Sequence, residues 1–163
     1  MTQDTTGKSH AGRPPFVGSI SELDTVVGEG VGGYRVAALG SKLGLTRLGV
    51  NHETIFPGGR SSKPHAHSEE EEFVLVLEGQ PTLWIDGEVF ELAEGDAVAF
   101  PAGTGIAHTF INNSEAAIKL LIVGERSATD QVRYPVDPDA PHPRPWKDAP
   151  TRTLGPHNGR ADK

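Results

Sequence analysis

From Tyr34 to Val123 every apolar run is short, and each is closed by a cluster of turn-forming residues. Pro57-Gly58-Gly59, Gly79-Gln80-Pro81, Asp86-Gly87, Glu94-Gly95-Asp96, Pro101-Ala102-Gly103 and Asn113-Ser114 punctuate the sequence in this way. Candidate strands fall at 34–39, 45–56, 72–77, 82–85, 88–92, 97–100, 108–112 and 118–123. That makes about eight to ten short strands with turns every 8–12 residues, the pattern of an all-β sandwich or closed barrel. Segments 82–85 and 88–92 read as a hairpin closed by Asp86-Gly87, with Trp84 and Phe90 facing each other across it. No amphipathic helix of useful length is expected, and the glycines at 28–33 read as a loop because no helix-forming run follows them.

The flanks differ from this middle. Residues 1–19 are polar and are expected to be a disordered arm, with the barrel over 20–126. Residues 127–163 carry seven prolines and read as an extended arm, with Val132, Tyr134 and Trp146 available for docking. At 163 residues the chain suits one domain with a proper core. A net charge of −7 with scattered Lys and Arg argues against a nucleic-acid partner. Cysteine is absent, which excludes disulfides, thiolate metal sites and Cys nucleophiles. No signal-like run precedes Pro15 and no stretch has the length of a membrane span, so the expectation is a soluble cytoplasmic protein without membrane partners.

The chemistry is concentrated at His65-Ala66-His67, which reads as the opening of the 72–77 strand. In an extended segment, side chains at i and i+2 leave the same face, so both imidazoles can converge on one ion. The alternative is a pair of surface histidines opening a strand. Four consecutive glutamates, Glu69 to Glu72, offer the carboxylate. Alternation favours Glu72, which shares a face with Val74 and Val76, with Glu71 or Glu70 as fallback. Such a run is otherwise a solvated face. His108 stands alone in an apolar run and, taken alone, reads as a core histidine. His52 also reads as structural, and Phe110 and Asn112 share the face of His108; Asn112 reads equally as a turn cap.

Gly59, His65, His67, Glu72 and Gly79 resemble the first cupin motif, and Gly95, Pro101, Gly103, His108 and Asn112 resemble the second. The resemblance covers residues 45–125. Four residues separate Gly103 from His108, a longer gap than the family pattern has. The chain as a whole, including 123–126 and 130–135, looks like the small single-domain bacterial cupins that are sometimes labelled sugar-phosphate isomerase-like. What the resemblance implies is a jelly-roll barrel (a double-stranded β-helix), usually dimeric through its terminal segments. It also implies one divalent metal ion (Zn, Mn, Fe or Ni) held by His65, His67, Glu72 and His108. Such a mixed nitrogen and oxygen shell leaves open positions for water or substrate.

Three functions fit. The first is Lewis-acid isomerisation or epimerisation of a sugar or sugar phosphate, with Glu70, Glu71 or Lys119 as base and Arg47, Arg60 or Lys63 for phosphate. The second is an iron-dependent dioxygenase, and the third a non-enzymatic small-molecule-binding module. A small-molecule substrate and a homodimer are the expected partners.

Overall fold

The computed structural model describes residues 14–27 and 34–134, so most of the N-terminal arm, the 28–33 loop and the arm beyond 134, with Trp146, lie outside the described residues. The Ser19 amide donates to Glu22 Oε2 at 3.0 Å and starts a single helical turn, α1 (Ile20–Leu23). Next come β1 (Asp24–Val27), β2 (Tyr34–Ala37), a second turn α2 (Leu39–Lys42) and the long β3 (Leu48–Ile55). The short β4 (Ala66–His67) is followed by β5 (Glu72–Glu78), β6 (Thr82–Ile85), β7 (Glu88–Glu91) and β8 (Ala97–Phe100). The remaining strands are β9 (His108–Ile111), β10 (Ile118–Glu125) and β11 (Val132–Arg133).

These strands form an all-β jelly roll. One sheet has the order β1-β2-β3-β10-β5-β8, a second β7-β6-β9, and β11 pairs with β4 alone. Every ladder is antiparallel. Between the sheets lie Ile55, Val74, Val76, Leu83, Phe110, Ile118 and Leu120, all at most 3% exposed. Removing such side chains from water contributes about 1.5–3 kcal/mol each. Register lays Val76, Leu120, Glu53 and Val36 side by side across the large sheet, then Val98, Val74, Ile122 and Asn51, then Phe100, Glu72, Gly124 and Gly49. With period two, all three rows belong to the face that carries the core. Glu72, Asn51 and Glu53 are therefore polar members of the barrel interior.

Two glycines show why the turns fall where they do. Gly79 ends β5 at φ +88, and a Cβ there would sit 2.7 Å from Ile118 Cγ2, so neither the conformation nor the space admits a side chain. Asp86 (φ 50) and Gly87 (φ 99) make the two-residue hairpin turn with both central φ positive.

Three expectations are corrected. Trp84 faces Val89 rather than Phe90, whose partner is Leu83, because the two-residue turn pairs Ile85 with Glu88 and sets the rest. Trp84 is thereby buried at 4% exposure, whereas Phe90 is 48% exposed. The strand expected at 34–39 stops at Ala37, and residues 39–42 close as a helical turn, with Leu43 N–H donating to Leu39 O at 3.0 Å. Finally, His65-Ala66-His67 does not open the 72–77 strand. The amides of Glu69 and Glu70 donate to the Asp130 carboxylate instead of a ladder, which makes 68–71 a loop and β4 a separate element.

Candidate metal centre

A bridge between His65 and His108 brings the two motifs together. His65 N–H donates to His108 O at 3.2 Å and His108 N–H to His65 O at 3.0 Å. The imidazole of His65 then lies 5.0 Å from that of His67 and 4.9 Å from that of His108, centroid to centroid. Glu72 enters from the large sheet, its Oε1 3.2 Å from His108 Nε2. Ligand atoms of His65, His67 and Glu72 all lie within 4.8 Å of one another. The structure thus gathers His65, His67 and Glu72 around one point, with His108 adjoining them through Glu72 and the His65 ring.

The hydrogen bonds say which ring atoms are free. Lys63 O can only accept, so at 3.0 Å it takes the proton of His65 Nδ1. Asp130 Oδ2 accepts from His67 Nδ1 at 2.6 Å. Both rings are left with an Nε2 lone pair, the state a metal ligand needs. Burial, helped by the neighbouring His108, pushes the His65 imidazole down to about 4, so it is neutral at pH 7. Burial works against the Glu72 carboxylate, but the hydrogen bond and charge of His108, with His65 and His67, hold it below the usual range. His108 is 3% exposed, stacks on Phe100 at 3.5 Å between centroids, and keeps a buried Nδ1 with no hydrogen-bond partner. Three imidazoles and a carboxylate held below its usual range make a donor set that fits a divalent cation.

The other candidates lie elsewhere. Glu71 is exposed, its amide donating to Glu125 Oε2 at 3.3 Å. Glu70 sits on the Nδ1 side of His67, 3.8 Å away, and accepts from Ser127 N–H at 2.6 Å. Lys119 is 40% exposed and pairs with Glu78 on the outer face, and Lys63 is exposed. Arg47 lines a groove with Gly44, Leu45, Arg126 and Ser127, and Arg60 is half-buried beside Ile111. Asn112 is a turn cap: Nδ2 donates to Ile55 O and Ala116 O at 2.8 and 2.7 Å, and Oδ1 accepts from Ser114 N–H. His52, buried at 5% exposure on β3, has no part in the cluster.

Two residues escaped the sequence reading. Glu53 on β3 is 8% exposed, and its Oε2 is buried without a hydrogen-bond partner. Burial and the charge of Glu72 push its carboxyl up to about 8. Burial, and after it this same carboxyl, raises the Tyr34 hydroxyl. Alternation hid it, because Val50 and Ile55 fall on opposite faces of β3 and neither face reads as the inner one. The second is Asp130, 6% exposed and 63 residues from His67, beyond any local signal.

Residues 51–124 match the cupin domain family. A crystal structure of a cupin-superfamily sugar phosphate isomerase from Silicibacter pomeroyi is 39% identical, with a TM-score of 0.60 over 62% of this chain and 64% of that one. A structure from Acidithiobacillus ferrooxidans is 35% identical, with a TM-score of 0.61 over 64% of this chain and 66% of that one. Among curated sequences, a protein of Methanocaldococcus jannaschii is 33% identical over 42% of this chain and 54% of its own length. The chain spans about half the length of the curated relatives it matches. Among the described residues, no helix is long and apolar enough to cross a membrane. The family match lies over the paired sheets and the converging donors, so residues 51–124 carry the cupin fold.

Proposed function

We propose that this protein is a metal-dependent enzyme that moves a proton on a hydroxy-carbonyl compound, an isomerase or epimerase of a sugar. The observation that carries the reading is Glu53, a buried carboxyl without a hydrogen-bond partner at Oε2, on the interior face that also holds Glu72. His65, His67, Glu72 and His108 would hold one divalent ion, of zinc, manganese, iron or nickel. When bound, that ion polarises a carbonyl oxygen and so acidifies the adjacent C–H. Aldose–ketose isomerisation takes a proton from one carbon and returns it to its neighbour, and epimerisation returns it to the opposite face. A carboxyl raised toward neutrality serves both halves of the isomerisation, taking the proton from one carbon and giving it to the next on the same face, whereas epimerisation needs a second acid opposite it.

The name of the Silicibacter pomeroyi protein supports the isomerase class. We favour a neutral sugar over a phosphorylated one, because Lys63 is exposed, Lys119 pairs with Glu78 on the outer face, and Glu69 to Glu71 add negative charge beside the site. A redox ion in the same donor set would serve dioxygen chemistry instead. Elemental analysis of the purified chain should give one ion per chain, lost in the His65→Ala/His67→Ala variant. Incubation with an aldose and ketose panel in deuterated water should incorporate deuterium next to the carbonyl. Glu53→Gln should keep the ion and slow that exchange by about 100-fold or more. Oxygen uptake by iron-loaded protein on thiols or catechols, with no exchange on any sugar, would defeat the proposal.

A further inference from the structure

The C-terminal segment past β10 returns to the centre and straps it. Val132 and Arg133 of β11 pair with His67 and Ala66 of β4, and Ser68 N–H donates to Gln131 O at 3.1 Å. Gln131 N–H donates back to Ser68 Oγ at 2.7 Å. Asp130 sits at the head of this clasp, and its two carboxylate oxygens have separate partners. Oδ1 accepts from Ser68 Oγ at 3.2 Å, Glu69 N–H at 2.9 Å and Glu70 N–H at 3.3 Å. Oδ2 accepts from His67 Nδ1 at 2.6 Å.

We propose that Asp130 is a positioning residue of the metal centre: from the strap it holds the Nδ1 proton of His67 and so keeps Nε2 as the ligating atom. The inference rests on the reading that the centre holds a divalent ion. His67 needs such help because β4 is only two residues long and cannot fix the ring through a continuous ladder. Its side chain is 16% exposed, so water competes for the ring nitrogens. Glu70 does not supply the acceptor, since its Oε2 stands 3.8 Å from Nδ1 while its Oε1 is taken by Ser127 N–H. A carboxylate on the far nitrogen also raises the basicity of the ligating one, and loss of such a partner lowers metal affinity about 10–100-fold.

The division between the two oxygens provides the test. In Asp130→Asn the amide oxygen can keep the three Oδ1 contacts while the amide NH2 replaces Oδ2. Two donors then face each other, and the ring relieves the conflict by moving its proton to Nε2, which blocks ligation. Full-length, chelator-stripped, nitrogen-15-labelled protein would be compared with Asp130→Asn and Asp130→Ala by ring nitrogen–proton correlation, followed by zinc titration calorimetry. We expect His67 protonated at Nδ1 in the unaltered chain and at Nε2 in Asp130→Asn, with the Glu69 and Glu70 amide resonances in place. Zinc affinity should fall about 10–100-fold in Asp130→Asn, and Asp130→Ala should show mixed tautomers. Nε2 protonation in the unaltered chain, or Nδ1 protonation retained in Asp130→Asn, overturns the inference. So do two zinc ions per chain, one of them lost in Glu70→Gln, since Asp130 would then be a ligand. An unaltered chain that binds no zinc but shows the tautomer switch upholds the grip of Asp130 on His67 and retires the metal reading alone.

Discussion

His108 and His67 are held in opposite ways. His108 lies in β9, where all four residues are buried, pairs with Ile85 across a ladder and stacks flat on Phe100. His67 lies in a two-residue strand, partly exposed, and its ring is tied by a carboxylate from the far end of the described chain. One imidazole is fixed by packing, the other by hydrogen bonds. The contrast teaches that the centre has a rigid wall and a strapped wall. Loss of the first should cost the fold, and loss of the second mainly the site.

Phe110→Ala breaks the packed wall. Phe110 is 1% exposed in the main cluster, edge-on to Phe100 at 6.2 Å, so truncation should cost about 3–5 kcal/mol in denaturant unfolding. A loss below about 1 kcal/mol would show that the wall repacks freely and end the contrast.

Glu53→Gln comes next and reverses sign. The folded carboxyl is raised to about 8 from an ordinary 4.5, so the folded state binds the proton more tightly than the unfolded chain. Its contribution is therefore full below about 4.5 and is lost as pH rises through about 8, where the buried charge opposes folding. Chelator-stripped Glu53→Gln should gain about 4 kcal/mol over the unaltered chain at pH 8 and almost nothing at pH 4. Parallel stability–pH curves for the two proteins would refute the assignment.

Asp130→Asn should have the smallest effect on stability, about 1 kcal/mol by thermal unfolding without metal, because only the His67 hydrogen bond changes character. Set against its expected loss of metal affinity, this sharpens the division between walls. A loss as large as that of Phe110→Ala would make the strap part of the core.

What was legible in the sequence was whatever repeats within a few residues. Alternation put Glu72 on the face of Val74 and Val76, which are 0% and 2% exposed, and left Phe73 and Leu77 outside at 43% and 38%. The Asp86-Gly87 turn was legible for the same reason, although its consequence for Trp84 needed the register counted outward from Ile85 and Glu88. Glu53 was illegible because β3 has apolar residues on both faces: α2 packs on this strand, and its Gly40 leaves no room for a Cβ against Val50 N, 2.8 Å away.

Short-range spacing by itself therefore determined most of the strands and turns and set His65, His67 and Glu72 on converging faces, whereas His108 was singled out by the resemblance to the second cupin motif. The cupin motifs depend on i, i+2 geometry and on glycines at positive φ, which are properties of neighbouring residues. Only the tertiary structure decided that Asp130 reaches His67 and that Glu53 points inward. Both depend on which strands pair and in what register. That pairing is selected by the burial of a whole sheet face, and no local segment carries it.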